Sequence, residues 1–345
     1  MAVLSPGRLQ HRGSGTGPAG RVHALPLLIA LAAFHVEAAH AEQHIFVLDI
    51  DNDWFAGTDR YYTSGLRLTR IRPADGASER AVRLAEAVPL FPDHGRVGVA
   101  CSLGQNVYTP RDQKLETPNP DDRPYAGWLY ASAGIGQETG QRLDRLQMTL
   151  GVVGPASLAS RTQRMIHRVT GPAWPRGWDS QLGNEPTLML SYERQWRARV
   201  RAFGNDGWGA DWTPHVGGSL GTPFTYLNTG FMVRVGRNLP MDYGPPRIQP
   251  GLSGSGLFES RQGLQWYGFA GVDLRLVGHD LFLDGNTWRE SAGVKKDRYV
   301  GDLQMGVALS FKRMRVAYTH VLRTREFRTQ ARRQNFGALS VSWLR

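Results

Sequence analysis

The chain has 345 residues, a formal net charge of +11, 41% hydrophobic and 21% charged residues. With a mean hydropathy of −0.37 and no run of about 18 apolar residues, a polytopic helical membrane protein is excluded. Disorder is excluded by 10 Trp, 11 Tyr and 13 Phe, and 41 Gly beside 20 Pro point to turns and close backbone approaches in an all-β chain.

In chain order, residues 1–41 read as a signal peptide. Arg8, Arg12 and Arg21 form a positive region, Ala24 to Phe34 a short apolar segment, and Ala39-His40-Ala41 a small-x-small cleavage site. Residues 42–345 are then expected to form one outer-membrane barrel domain with a net charge of about +9. Of the histidines, His44, His94, His167, His215, His279 and His320 remain for chemistry. The single Cys101 lies in an alternating stretch and reads as structural, so the exported chain relies on no internal disulfide.

From residue 45 onward the dominant period is two. Leu66 and Leu68 alternate with Arg67 and Thr69, and Leu146, Met148, Leu150 and Val152 share a face. Such segments recur at 45–51, 62–71, 97–107, 127–137, 143–153 and 187–197. They continue at 211–221, 226–236, 265–276, 299–311, 314–323 and 335–344. Twelve segments of about ten residues separated by turn chemistry suit an antiparallel transmembrane barrel with both termini periplasmic. Segment 280–288 reads as loop, since a thirteenth strand would break parity. A soluble β-sandwich or lipocalin-like protein is the alternative, because an aqueous exterior and a polar lumen have the same period. With both termini periplasmic, connections 52–61, 108–126 and 154–186 fall on the extracellular side, and the unusual polar residues concentrate there.

The first of these begins with Asp49, Asp51, Asn52 and Asp53, followed by Thr58, Asp59, Arg60 and Thr63. Dense oxygen donors at a strand end suit a hard cation such as Ca2+ or an ordinary solvated acidic end. An EF-hand is excluded, because Trp54 and Arg60 stand where its loop needs Gly and Glu. In the second connection Lys114 lies between Pro-bounded turns, ahead of Asp122-Arg123-Pro124-Tyr125-Ala126-Gly127-Trp128. It suits steadying an anionic group or a developing oxyanion. The third holds the one helix signal after residue 41: Pro155 and Ser157 open it, Leu158, Thr162, Met165, Ile166 and Val169 form a stripe, and Gly171 stops it. Gln163 and His167 stand four apart on one face, with Trp174, Trp178, Asp179, Gln181 and Glu185 beyond. Gly217-Gly218-Ser219-Leu220-Gly221 matches a hydrolase pattern but lacks the strand-to-helix elbow. No nucleotide or zinc motif occurs, and the basic charge of an exported barrel points to anionic lipid rather than nucleic acid.

The ordered set Asp51-Asn52-Asp53-x-Phe55, Thr58-Asp59-Arg60-x-Tyr62-Thr63-x-Gly65, Tyr108-Thr109-Pro110, Asp122 to Gly127, Gly151 to Pro155 and Gln163-x-x-x-His167 resembles the LpxR-type lipid A 3′-O-deacylases. The resemblance spans most of 44–345, with its motifs in 49–185. It implies a twelve-stranded outer-membrane barrel with a calcium-dependent site between the outer wall and a loop helix. The activity implied is removal of the 3′-linked acyloxyacyl group of lipid A, with lipopolysaccharide as partner; separately, the chain is expected to be a monomer. Asn52 and Asp53, with Asp51, correspond to the metal end and Thr63 to a hydroxyl position. His167 corresponds to the base that activates water, beside Gln163. Lys114 is an approximate match, and Ala173 stands where an acidic residue can follow the helix, leaving Asp179 or Glu185 as carboxylate partners. Two rivals remain: an outer-membrane phospholipase and a non-enzymatic porin-like or adhesin barrel.

Overall fold

The computed structural model describes residues 44–53, 61–73, 78–170, 174–203, 207–245 and 261–345. The expected signal peptide, and Thr58, Asp59 and Gly171, lie outside them. Strands follow the alternating segments: β1 (Ile45–Asn52), β2 (Tyr61–Arg72), β3 (Arg96–Thr109), β4 (Ala126–Glu138) and β5 (Arg142–Val153). After β6 (Glu185–Trp196) and β7 (Ala198–Phe203) come β8 (Trp208–Gly221), β9 (Phe224–Arg237) and β10 (Arg261–Asp280). The last are β11 (Tyr299–Lys312), β12 (Met314–Arg323) and β13 (Gln334–Leu344). Successive strands pair antiparallel. The sheet closes where β1 pairs with β13 and β6 with β8.

Strand β7 is no additional stave. Gln195 pairs with His215 and Ala198 with Trp212, so β6 and β7 both run along β8 in one direction, interrupted at Arg197. The result is a closed twelve-stranded antiparallel barrel, as the period predicted. No described helix is long and apolar enough to cross a membrane; crossing by strands is a separate matter.

The two faces settle the choice between barrel and sandwich. Outward positions carry Met148, Leu150, Leu188, Leu190, Leu227, Phe231, Leu274, Val307 and Leu309, all exposed. Inward positions carry Glu193, Asp211, Arg234, Asp273, Arg275, Asp302, Arg315 and Arg323, all buried. A soluble sandwich buries the opposite set. Each interior charge meets a partner, as burial demands: Arg145 donates to Glu193 at 2.5 Å, Arg275 to Asp302 at 2.9 Å, and Arg323 to both oxygens of Asp302.

Both ends of the lumen are filled. At one end the segment after β9 folds inward, and Asp242 accepts from Arg234 and Arg315 while Arg234 also grips Asp211. At the other end, called here the upper rim, helix α3 (Leu281–Asp284) follows β10. Its Leu281, Phe282 and Leu283 are buried, and Phe282 stacks on Tyr108 with ring centroids 4.2 Å apart.

Two expectations are corrected: segment 280–288, read as loop, carries the short helix Leu281–Asp284 capped by Asp280, and the helix over 155–171 is not alone. The helix over 155–171 is present as a short 3-10 turn, Pro155–Ser157, and an α-helix, Ala159–Thr170. It is not the sole helix signal after residue 41, because a helix also spans Glu79–Glu86 at the opposite rim. Ser78 caps it by accepting from Ala81 N, and Ala81 and Ala85, one turn apart, are its buried face. Its stripe is two alanines wide, too thin to register as a period. In chain order these helices are α1 (Glu79–Glu86) and α2 (Ala159–Thr170).

Candidate functional site

The strand end of β1 divides its own donors. Strand alternation sends Asp49 and Asp51 into the lumen and Asn52 to the outer wall. Asp49 is held there by Arg67, whose Nε and Nη2 donate to Oδ2 at 3.0 and 2.8 Å. Asp51 shares an interior cavity with Asp49, Arg67, Asn106 and Tyr130. Asp53 follows the strand and is buried. Thr63 occupies an irregularity in the β2–β3 register, between Tyr62 and Ser64; its side chain lies outside the described residues.

Helix α2 lies against the same outer wall. Asn52 pairs with Ser64, Ser64 with Val107, and Val107 with Gly127, so these four form one outward row across β1 to β4. The helix sits on the far end of that row. Val107 and Ala159 share a buried cluster with Tyr125 and Trp178, and Gln105 donates through Nε2 to Ser157 O at 2.6 Å. Gly127 makes the seat possible, because a Cβ there would stand 2.2 Å from both Ala159 Cβ and Ser157 Oγ. Strands lie about 4.8 Å apart, so Val107 under the helix is about 10 Å from Asn52.

The helix is pinned on its inner side by Gln163, which is 2% exposed. Trp178 Nε1 donates to Gln163 Oε1 at 2.7 Å, and Gln163 Nε2 donates to Gln113 Oε1 at 3.1 Å. Gln113 in turn ties two loops together. Its carbonyl accepts from Arg176 N at 2.9 Å and from Tyr125 Oη at 3.3 Å. His167, one turn beyond Gln163, is also buried.

Lys114 follows the pinned Gln113 and is exposed, its backbone N–H donating to Asp112 Oδ1. The loop thus anchors its neighbour while leaving the Lys114 ammonium accessible. Of the two carboxylates considered for His167, Asp179 is exposed. Glu185 is buried and engaged elsewhere, accepting from Asn286 Nδ2 and Thr287 N at 2.9 Å each. Gln113, Trp178 and Gly127 were not singled out as site residues from the sequence. Their roles depend on contacts across 50 and 15 residues for Gln163 and on the β3–β4 row for Gly127.

For a cation, the donor types are right: the Asn52 amide and the Asp53 carboxylate are hard oxygen ligands. Among the described residues, no group of three His, Cys, Asp or Glu side chains converges on one point. A calcium ion held at Asn52 and Asp53 would take its remaining oxygens from main chain, water or substrate. Asp51 faces the other side of the strand.

A family model described as outer membrane protein LpxR matches residues 25–344. Among solved structures, LpxR from Salmonella typhimurium superposes with a TM-score of 0.71 at 20% identity, over 87% of this chain and 99% of that one. The β domain of the Bordetella autotransporter BrkA gives a TM-score of 0.42 at 11% identity, over 87% of this chain and 97% of that one. No curated protein matches the sequence.

Proposed function

The chain belongs to the LpxR family of outer membrane proteins, and on that premise we propose that it is a lipid A deacylase hydrolysing the 3′-linked acyloxyacyl ester. The observation that carries this reading is the position of α2. The helix bearing His167 lies on the outer wall, in the row that begins at Asn52. A lipid diffusing in the membrane reaches that surface without entering the lumen, whose two ends are filled.

In the proposed reaction an imidazole nitrogen of His167 takes a proton from water as the water attacks the ester carbonyl. Gln163 fixes the helix turn on which His167 stands. Lys114 extends an ammonium towards the oxyanion that develops, and Thr63 orients water or substrate. Asn52 and Asp53 would hold calcium, and Asp51 would add negative charge from behind the strand. When bound there, calcium supplies Lewis-acid polarisation of the carbonyl. The upper rim faces the cell exterior, and the enzyme acts as a monomer on lipopolysaccharide. No serine nucleophile is needed, which accords with Ser219 being buried in the lumen against Ser191.

Mass spectrometry of lipid A from cells expressing the protein tests the reading. The expected result is loss of the 3′-acyloxyacyl mass in the wild type, no loss with His167→Ala, and no loss when calcium is chelated. An unchanged acyl pattern beside released lysophospholipid would instead make the protein a phospholipase.

A further inference from the structure

The loop joining β12 to β13, residues 324–333, carries Arg325, Arg328, Arg332 and Arg333, all exposed. Elsewhere in the barrel the arginines of the lumen are buried and paired with carboxylates. Arg325, Arg332 and Arg333 have no ion-pair partner among the described residues. These three line a groove of about 770 Å3 together with Leu322, Thr324, Ala331 and Asn335. No acidic side chain lines it, and its size falls within the range of sites that take small ligands or headgroups.

The groove is built on a fixed loop. Phe327 is buried in a cluster with Leu283, and Glu326 is held by Arg323 at 3.2 Å and Arg123 at 3.3 Å. Gln330 accepts from Glu326 N at 2.7 Å and donates to Arg332 O at 3.0 Å. Three cationic forks are therefore displayed on an ordered scaffold, with Thr324 and Asn335 between them.

Its place in the fold gives the ligand. Leu322 and Asn335 pair directly across β12 and β13, and Asn335 shares its face with Gly337, two residues along. Gly337 is the partner of Asn52. The groove and Asn52 therefore occupy one continuous outer surface, about 8 Å apart by strand spacing and rise. The helix that carries His167 lies on the other side of Asn52 along the same outer surface, against β3 and β4.

We propose that this arginine groove binds the phosphate of a phosphorylated glycolipid headgroup and so positions the substrate for hydrolysis beside Asn52. The inference rests on the deacylase reading for its substrate and on the groove alone for its anion. Guanidinium forks match phosphate oxygens two at a time, and Leu322 continues the wall on which the acyl chains lie. Bound this way, the headgroup sits over β12–β13 and an ester chain runs back across β1 and β2 towards α2.

The test uses the full chain in detergent micelles, with Arg325, Arg332 and Arg333 changed together to Ala and, separately, to Lys. Two substrates are compared, bis-phosphorylated lipid A and the same lipid after enzymatic dephosphorylation. The ratio of their kcat/KM values is expected to fall roughly tenfold in the Ala variant, chiefly through KM, and to recover in part with Lys. Equilibrium binding of the phosphorylated lipid in mixed micelles is expected to weaken by a similar factor. An unchanged ratio, or unchanged binding, would overturn the groove assignment. Saturable binding of inorganic phosphate as tight as that of the lipid would also overturn it, assigning the groove to a free anion. Should the parent protein hydrolyse neither lipid, the deacylase reading fails, while the micelle binding measurement still decides the groove.

Discussion

Replacing Gln163 by Leu removes the pin that seats α2 without touching the barrel. Gln163 is 2% exposed and Trp178 3% exposed, so neither group finds bulk water when the other is lost. The Trp178 indole N–H loses its 2.7 Å acceptor, and a buried donor without a partner costs about 1–3 kcal/mol. Loss of the 3.1 Å bond to Gln113 adds about 1 kcal/mol. The sum, about 2–4 kcal/mol, is large for a twelve-residue helix seated on one patch of wall. It is spent on the docking of α2, since none of the strand pairings uses Gln163. A shift of about 1 Å at a catalytic group costs about a hundredfold in rate. The Gln163→Leu variant is therefore expected to lose about a hundredfold in kcat for lipid A deacylation with little change in KM. Its heat-modifiable mobility on a denaturing gel, which reports a closed barrel, should match the wild type. A double-mutant cycle with Gln113→Leu should return a coupling of about 1 kcal/mol. If Gln163→Leu kept more than half of the wild-type kcat, the hydrogen-bonded pin would have no part in positioning His167.

A Val at Gly127 would meet Ala159 and Ser157 at 2.2 Å, displacing the helix at a cost of about 1–3 kcal/mol. Deacylation should be lost with the barrel intact, whereas Gly268→Ala, whose nearest neighbour is 3.9 Å away, should retain activity in the same assay. Asp242→Ala removes the carboxylate shared by Arg234 and Arg315, and breaking a buried pair costs about 3–5 kcal/mol. A lower melting temperature and new conductance in planar bilayers are expected, measured against a closed wild type. Burial alone would raise the Glu326 carboxyl, but Arg323 and Arg123 beside it hold it below the usual range. A depressed carboxylate stabilises the fold above its unfolded pKa, about 4.3, and that contribution disappears as pH falls through the lower folded value. Amide exchange in 324–333, corrected for intrinsic rate, should be slow at pH 6 and rise as pH falls through that folded value, and Glu326→Gln should speed it already at pH 6; unchanged exchange in the variant would show that the ion pairs do not hold the loop.

The barrel was legible because alternation survives in every stave. The expected segments 143–153 and 299–311 lie within one residue of Arg142–Val153 and Tyr299–Lys312. Less legible was the break at Arg197, where Trp196, Arg197 and Ala198 continue the pattern of residue types although the pairing is interrupted. Within the site, Asn52 and Asp51 read as one donor set in sequence, yet period two places them on opposite faces of the wall. The same rule that revealed the strand separates its neighbours. Gln113 and Trp178 left no local signal, because a buried glutamine or tryptophan is recognised by what it touches, and each touches Gln163 from a different loop.

The interior accords with the proposal that the chemistry takes place on the outer wall. A barrel whose lumen were open could bring a polar substrate past Asp273, Arg275 and Asp302, but these charges are satisfied by one another and by Arg323. Admitting a ligand there would mean breaking buried ion pairs at several kcal/mol each. The outer surface carries no such obligation. Its apolar residues already face lipid, so an acyl chain exchanges one hydrocarbon neighbour for another at little cost. What the outer wall lacks is polarity, and the upper rim provides it at two places flanking Asn52: the helix with His167 on one side and the arginine groove on the other. An amphiphile whose tails run down the wall and whose headgroup stays at the rim meets both at once. A fully dissolved, tail-free phosphorylated disaccharide ester would meet only the groove. It is expected to bind at the rim but to be hydrolysed far more slowly than the intact lipid, and equal kcat/KM for the two would show that the wall contributes nothing to catalysis.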